Sequence, residues 1–254
     1  MAELEGSTAF VTGAGNGIGR AIARRLAAGG ARVAVADINL DGARKTEAMI
    51  GAAGGTALAV PVDIADYDAV RAAIGQTHAA LGPVGILVNN AGWDRLEPFA
   101  RNTPELWDRL IAINLRGPIH CCHAVLDGMI DAGGGRIINI SSDAGRVGST
   151  GEAVYSACKG GIIALSKTLA RELARHAITV NCVCPGPTDT ALLAEVTSGE
   201  QGAKIIAAMT RAIPLRRLGT PDDVATAVAF FAAPDAAYVT GQVLSVSGGL
   251  TMVG

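Results

Sequence analysis

The chain has 254 residues, with 21 basic and 23 acidic side chains, a net charge of −2 and a pI near 6.1. It contains no basic run that could follow a phosphate backbone, so we expect no nucleic acid partner. No stretch approaches the roughly 18 uncharged apolar residues of a membrane span, and no targeting segment precedes the first strand. We therefore expect a cytoplasmic protein that does not bind a membrane.

Hydrophobic residues make up 50% of the chain, aromatic residues 4%, and 33 residues are glycine, which suits helices packed closely on a parallel sheet. Strand-like and helix-like segments alternate without a linker, which predicts one doubly wound α/β domain over residues 1–254. Strands, about seven in all, are predicted at residues 8–12, 32–37, 56–62, 86–89, 135–140, 178–184 and 242–246. Helices are predicted at residues 18–28, 40–52, 66–81, 153–176 and 222–233, and another begins at Pro104 after a Thr103 N-cap.

A glycine-rich turn, Gly13-Ala14-Gly15-Asn16-Gly17-Ile18-Gly19, joins the first strand to its helix. Small residues let the backbone approach a pyrophosphate, which the helix N-terminus attracts. The spacing is GxxxGxG, and alone it is weak evidence. The second strand ends in Asp37, about 20 residues further on, where a carboxylate can accept a hydrogen bond from an adenosine ribose. Because Asp37 would repel a 2′-phosphate, the pattern favours NAD over NADP; the alternative is that Asp37 only caps the next helix.

Asparagine occurs at two places where a site is expected. Asn89-Asn90-Ala91-Gly92 ends the fourth strand at the edge where open α/β sheets bind ligands, and Trp93 and Asp94 lie on the following loop, which is expected to face the substrate. Asn114 lies within an apolar helical pattern, where asparagine is locally unfavourable. Either it satisfies a buried backbone group or it works in the site, and the pattern leaves both open.

Three further side chains predict proton-transfer chemistry. Ser142 follows the buried strand 135–140, and Tyr155 and Lys159 lie one turn apart on the next helix, so that they share a face. A nearby ammonium group favours the phenolate and is expected to lower the pKa of the tyrosine, while the serine hydroxyl can donate to the same substrate oxygen. The alternative is a chance pair in which the ring packs and the lysine extends to solvent.

The cysteines and the segment after the sixth strand complete the pattern. Five cysteines, an odd number without disulfide or zinc spacing, are typical of a reducing compartment. The run His120-Cys121-Cys122-His123 is not expected to bind a metal, because adjacent helical positions point about 100° apart. Helical pieces at 191–196 and 203–211, around Ser198 and Gly199, predict a lid over residues 188–213.

Taken together, the segments TGAGNGIG, NNAG and PGPTDT and the spacing of Ser142, Tyr155 and Lys159 resemble the short-chain dehydrogenase/reductase family over essentially the whole chain. The resemblance implies a Rossmann-type fold and hydride transfer between a nicotinamide cofactor and a secondary alcohol or ketone. It also implies a homotetramer.

The resemblance assigns roles to individual residues. It implies that Tyr155 is the general acid/base, Lys159 its pKa modifier and a ribose ligand, Ser142 the carbonyl anchor and Asn114 the holder of a proton-relay water. The residues that the resemblance implies for cofactor binding are Gly13, Asn16, Gly17, Ile18, Gly19, Asp37, Asp63, Ile64, Asn90, Ala91, Gly92, Tyr155, Lys159, Pro185, Gly186 and Thr188.

Longer segments, among them NNAGWD and SDAGRVGSTGEAVYSACKGG, are similar to family members that oxidise 2-hydroxycyclohexanecarboxyl-CoA with NAD in aromatic acid degradation. For such a substrate, Trp93 and Val147 would form an apolar wall, and Asp143, Arg146 and Glu152 polar edges. The alternatives are a general cyclic or aryl secondary-alcohol dehydrogenase and a 3-oxoacyl-carrier-protein reductase. A more distant alternative is a dinucleotide sensor without catalysis.

Overall fold

The fold is built on one seven-stranded parallel sheet, seen in a computed structural model that describes residues 4–196 and 202–253. The strand order is β3-β2-β1-β4-β5-β6-β7, which is the doubly wound arrangement that the sequence predicts. The strands are β1 Thr8–Thr12, β2 Arg32–Asp37, β3 Ala57–Pro61, β4 Val84–Asn89, β5 Gly135–Ile140, β6 Ile178–Pro185 and β7 Val243–Val246.

Helices connect the strands. They are α1 Gly17–Ala28, α2 Leu40–Ala52, α3 Tyr67–Leu81, α4 Pro104–Ile111, α5 Gly117–Asp131, α6 Ala144–Val147, α7 Ala153–Leu173, α8 Ala191–Val196, α9 Gly202–Ala212 and α10 Pro221–Ala232. A π-helical segment, Ala112–Arg116, joins α4 to α5. Among these described residues, no helix is both long and apolar enough to cross a membrane.

The sheet is buried because its strands are apolar on both faces. Successive residues of a strand point to opposite faces, so Val11 packs in the core beneath α1 and α10, whereas Phe10 packs in the core beneath α3 and α5. This covering of both faces explains why strands such as RVAVAD and GRIINI read as continuous hydrophobic runs.

Most predicted boundaries agree with the structure to within one or two residues. The helix predicted to reach residue 176 ends at Leu173 and continues as a 3₁₀ turn, Ala174–His176, because Ala177 adopts a left-handed conformation with φ 55°. Thr103 caps α4 as predicted, accepting from the Leu106 backbone nitrogen. Helices α8 and α9 occupy the predicted helical pieces, and the predicted turn at Ser198 and Gly199 lies outside the described residues.

Polar and sulfur side chains run through the interior. Asn89 on β4 donates to the Asn139 side chain on β5, and Asn139 donates to Ser166 on α7, each at 2.8 Å. All five cysteines are buried and free. His120 and His123 turn to separate partners, the Ile64 carbonyl and the Tyr67 hydroxyl, and the described residues hold no group of three potential metal ligands. Cys121 and Cys122 of this run are buried in the core beneath α3 and α5.

Candidate active site

The glycine loop between β1 and α1 forms a tight cradle at the carboxyl edge of the sheet. Gly13 and Gly17 have φ of 63° and 48°, a region that favours glycine. A Cβ on Gly19 would lie 2.1 Å from the Gly13 carbonyl oxygen, so only glycine fits there. Asn90 fastens this loop to β4, because its amide nitrogen donates to the carbonyls of Thr12 and Gly13 at 3.0 and 3.1 Å. The Asn90 side-chain nitrogen is thus bound within the protein, and the predicted contact of Asn90 with the cofactor stays a prediction.

The N-terminus of α1 fits an anionic group. Asn16 is the N-cap, but in the described structure its side chain makes no capping hydrogen bond, and the first turn carries no acidic residue. The first backbone N–H groups of a helix lack intrahelical partners and attract anions. Space is open at Gly17, where an added Cβ would meet only the Thr190 side chain, at 3.7 Å. The residues present therefore fit the pyrophosphate of a dinucleotide.

Asp37 lies at the end of β2, facing this loop. It is 8% exposed, and its carboxylate accepts from the backbone nitrogens of Gly15 at 2.7 Å and Asn39 at 2.8 Å. The N-cap of α2 is Asn39, which accepts from the Gly42 nitrogen, so the alternative that Asp37 caps this helix is wrong. The nearby Arg20 guanidinium donates to the Gly15 carbonyl and to Thr46. The carboxylate thus sits where the sequence predicts a ribose contact, and the basic group beside it is already bound.

The remaining predicted cofactor residues also follow strand ends. Asp63 is exposed after β3, and its side chain accepts from the Ala65 nitrogen, while Ile64 is buried against Gly117. Thr188, after β6, donates its hydroxyl to the Gly186 carbonyl at 2.9 Å. The residues that the structure brings to this one edge of the sheet are Gly13, Asn16, Gly17, Ile18, Gly19, Asp37, Asp63, Ile64, Asn90, Ala91, Gly92, Pro185, Gly186 and Thr188.

Ser142, Tyr155 and Lys159 meet where β5 runs into α7. A hydrogen bond between Ser142 and Tyr155 acts on the phenol, and the Lys159 nitrogen lies 5.5 Å from the centre of the tyrosine ring. Lys159 is 3% exposed and donates to the Ile140 carbonyl at 3.0 Å, so it does not extend to solvent. Gly145 permits this closeness, because a Cβ there would lie 2.6 Å from the Lys159 backbone. The pair is therefore not a chance surface arrangement.

The sign of the tyrosine shift differs from the prediction. Burial raises the pKa of Tyr155 above its ordinary value, and the nearby carboxyl groups of Asp94 and Glu152 raise it further, against the hydrogen bond from Ser142 that lowers it. Burial also lowers the pKa of Lys159 to about 8. The predicted lowering of the phenol pKa by Lys159 is outweighed in this site, because burial disfavours the phenolate and two acids oppose it.

Asn114 was expected either to satisfy a buried backbone group or to work in the site, and its contacts are of both kinds. It is fully buried in the π-helical segment, and its side chain accepts from the Trp93 nitrogen and donates to the carbonyls of Trp93 and Leu110. It therefore satisfies buried backbone groups. It is also part of the site, since a Cβ on Gly92 would lie 3.0 Å from its side-chain oxygen and 3.5 Å from the Lys159 nitrogen. π-helical turns are frequent at such places.

The predicted substrate residues divide into two groups. Trp93 is half-buried under the guanidinium of Arg109, 3.8 Å from the ring centre, Val147 is 58% exposed, and Glu152 begins α7. These three side chains all keep solvent-exposed surface.

Asp143 and Arg146 do not form the predicted polar edges. The Ser245 hydroxyl of β7 donates to Asp143, and Arg146 donates to Ser245 at 2.8 Å and to the Val253 carbonyl. Both side chains therefore tie the segment after β5 to β7 and the C-terminal residues. Asp94 was expected on a loop facing the substrate, but its side chain is buried, with 5% exposed, and is influenced by the charge of Glu152. Its only signal was an acidic residue directly after the NNAGW segment.

The chain is similar over nearly its whole length to known proteins. A protein-family profile described as enoyl-(acyl carrier protein) reductase matches residues 13–251. The chain is 40% identical over 258 residues to a (3R)-3-hydroxyacyl-CoA dehydrogenase of Canis lupus familiaris, covering 98% of each. It is 41% identical over 250 residues to a 3-oxoacyl-(acyl-carrier-protein) reductase of Escherichia coli, covering 98% of this chain and 99% of the relative. A crystal structure from Sinorhizobium meliloti, described as a short-chain alcohol dehydrogenase, superposes with a TM-score of 0.92 at 36% identity, covering 98% of this chain and 97% of that one.

Proposed function

The chain belongs to the short-chain dehydrogenase/reductase family and is an oxidoreductase that acts on a CH–OH group; on that premise we propose that it uses NAD to interconvert a β-hydroxyacyl thioester and its β-keto form. The observation that carries the proposal is the convergence of Ser142, Tyr155 and Lys159 beside the glycine loop. This convergence also argues against a sensor without catalysis, since such a module has no use for a buried acid/base pair.

The catalytic roles follow from the positions of these side chains. The bound nicotinamide supplies the hydride chemistry. Ser142 donates a hydrogen bond to the substrate oxygen, and Tyr155 takes the hydroxyl proton in oxidation or returns it in reduction. Lys159 holds a positive charge beside the phenol, and Asn114 fixes the loop at Trp93 that borders the substrate.

The choice of NAD rests on Asp37. An ionised carboxylate can accept from a ribose 2′-hydroxyl, but it meets a 2′-phosphate as a like charge. Arg20, whose guanidinium lies at the Gly15 turn, is held by the Gly15 carbonyl and Thr46 and would have to break both contacts to hold a phosphate. The same feature disfavours an NADPH-linked carrier-protein reductase.

The substrate class rests on a shared chemical group. In 2-hydroxycyclohexanecarboxyl-CoA, the substrate suggested by the longer sequence segments, the hydroxyl carbon is β to the thioester carbonyl. The names of the dehydrogenase from dog and the reductase from Escherichia coli describe the same relation. We propose the cyclic thioester as the specific substrate, because Trp93 and Val147 offer apolar surface for a ring.

Two further features belong to the proposal. Helices α8 and α9 are proposed to act as a lid within residues 188–213, which would admit a long acyl carrier. The functional unit is proposed to be a homotetramer in the cytoplasm, and neither a metal nor a nucleic acid takes part.

The deciding assay compares four alcohols at one NAD concentration: 2-hydroxycyclohexanecarboxyl-CoA, 3-hydroxybutyryl-CoA, cyclohexanol and an aryl alkyl carbinol. We expect kcat/KM to be highest for the cyclic thioester and at least tenfold higher for both thioesters than for the free alcohols. A factor of ten corresponds to about 1.4 kcal/mol of transition-state preference. If the free alcohols exceed the thioesters by that factor, a general secondary-alcohol dehydrogenase replaces the proposal.

A further inference from the structure

Ser142 lies on a short turn, residues 142–147, that hydrogen bonds fold into one unit. The Ser142 hydroxyl accepts from the Ala144 nitrogen at 3.1 Å, which orients the hydroxyl. The Asp143 carbonyl accepts from the Arg146 nitrogen at 2.9 Å. Because these bonds tie the turn together, a movement of Asp143 is transmitted to Ser142.

The side chain of Asp143 is buried, with 6% exposed, and only one of its oxygens is bound. That oxygen accepts from the Ser245 hydroxyl on β7, and the other has no hydrogen-bond partner among residues 4–196 and 202–253. The unbound oxygen lies near Gly186, where an added Cβ would be 3.6 Å from it. A buried carboxylate costs free energy unless donors bind it. The bond from Ser245 is therefore the contact that holds this side chain.

Arg146 fixes the direction of that bond. Its guanidinium donates to the Ser245 hydroxyl oxygen at 2.8 Å. A guanidinium has only donors and an ionised carboxylate only acceptors, so the hydroxyl accepts from Arg146 and gives its hydrogen to Asp143. Within the part of the chain that the structure describes, the charged groups of Arg146 and Asp143 form no direct ion pair. The Ser245 hydroxyl therefore links two opposite charges that are otherwise unpaired.

Backbone contacts hold β7 and the C-terminal residues independently of this hydroxyl. The Arg146 guanidinium also donates to the Val243 carbonyl at 3.4 Å and to the Val253 carbonyl. The strand itself pairs with β6 along its length. Loss of the Ser245 hydroxyl would therefore remove the link to Asp143 and leave these attachments in place.

We propose that Ser245 is a positioning residue for the reaction, because its hydroxyl holds the Asp143 carboxylate and thereby the turn that carries Ser142. It acts through this turn and not by touching the reacting groups. The inference rests on the proposed function only in taking Ser142 as the group that binds the substrate oxygen.

The expected effect follows from the burial of Asp143. Without the Ser245 hydroxyl, neither carboxylate oxygen has a donor, and the side chain gains one only by drawing water into the turn or by rotating outward. Either change displaces the Ser142 hydroxyl from the substrate oxygen. Stabilisation of charge in the transition state depends on such alignment. The glycine loop and Asp37 lie on β1 and β2, so cofactor binding should change little.

The test compares Ser245→Ala with Ser245→Thr in kcat/KM for alcohol oxidation. Alanine removes the hydroxyl, whereas threonine keeps it and suits a strand. We expect Ser245→Ala to lower kcat/KM at least about tenfold and Ser245→Thr to stay within about threefold of the wild type. The dissociation constant of NADH, measured by fluorescence, should change less than about twofold in both variants.

The matched control is Thr179→Val. It removes a buried hydroxyl from β6 that has no hydrogen-bond partner in the described ranges, 4–196 and 202–253. Its kcat/KM should equal that of the wild type.

A double-mutant cycle separates positioning from a general loss of structure. If Ser245 acts through Ser142, adding Ser245→Ala to Ser142→Ala should lower the residual turnover by less than about twofold. The inference is wrong if Ser245→Ala lowers turnover by the same factor in both backgrounds, or if it turns over like the wild type. It is also wrong if Ser245→Thr loses as much activity as Ser245→Ala.

If Ser245→Ala does not fold, Arg146 gives the same test from the other end of the link. Arg146→Lys can still donate to Ser245, whereas Arg146→Met cannot. A higher kcat/KM is therefore expected for the lysine variant, and equal losses would contradict the inference. Wild-type turnover in Ser142→Ala would exclude the proposed role of Ser142 and the inference with it. A preference for free alcohols would overturn only the proposed thioester, because the comparison can be made with whichever alcohol is turned over.

Discussion

Replacing Asn114 with alanine should destabilise the fold and impair turnover together. The side chain is fully buried and makes three hydrogen bonds, at 3.2 Å from the Trp93 nitrogen and at 2.7 and 3.0 Å to the carbonyls of Trp93 and Leu110. Each buried bond contributes about 1 kcal/mol, and its loss strands a backbone group. Alanine regains about 0.6 kcal/mol of helix propensity. The expected loss in the free energy of unfolding is therefore about 2 to 3 kcal/mol.

The measurement is urea unfolding of wild type and variant at equal chain concentration, since association would add to the apparent stability. Asn102→Ala is the matched control, because that partly exposed side chain makes only long bonds of 3.3 to 3.4 Å and should cost less than about 1 kcal/mol. kcat/KM should fall in Asn114→Ala, since the loop at Trp93 loses its support. If Asn114→Ala unfolds within about 0.5 kcal/mol of the wild type, the three bonds do not stabilise the site as inferred.

Three other predictions concern the site and the assembly. Tyr155→Phe should abolish turnover and leave NADH binding nearly intact, whereas Lys159→Met should damage both; wild-type turnover in Tyr155→Phe would exclude the mechanism. The kcat/KM for NAD should exceed that for NADP by at least about tenfold, and Asp37→Ala should reduce the ratio while the exposed Asp41→Ala does not; a preference for NADP would contradict the Asp37 argument. Light scattering should show a tetramer, because α7 leaves Ala157 and Ala164 exposed on an apolar helix, and a stable monomer at micromolar concentration would refute this.

Local sequence patterns predict the strands and helices of this protein well. Strands buried on both faces are continuous apolar runs, and helix starts carry their own signals, as Thr103 and Pro104 do for α4. The glycine loop and Asp37 are predictable for the same reason, since each depends on a short segment next to a strand end.

The features that local patterns miss depend on distant partners. Asp143 was predicted to line the substrate site. In the structure its side chain instead accepts a hydrogen bond from Ser245, which lies 102 residues away in the sequence. The sign of the Tyr155 shift depends on burial and on Asp94, which comes from a different loop. Asn90 likewise gives its amide to carbonyls 77 and 78 residues away. Spacing along the chain carries no information about such contacts.

The rate at which the buried thiols react also reports how often the folded chain opens. Burial raises the pKa of Cys122 to about 12, of Cys182 to about 11 and of Cys184 to about 12, so in the folded chain almost none of these groups is a thiolate. Disulfide reagents and alkylating agents attack the thiolate, and they also need access. Labelling at neutral pH therefore waits for the chain to open, and its rate follows the frequency of that event. If α5, α7 and β6 open as one unit, mass spectrometry will find molecules with no label or five labels and few between.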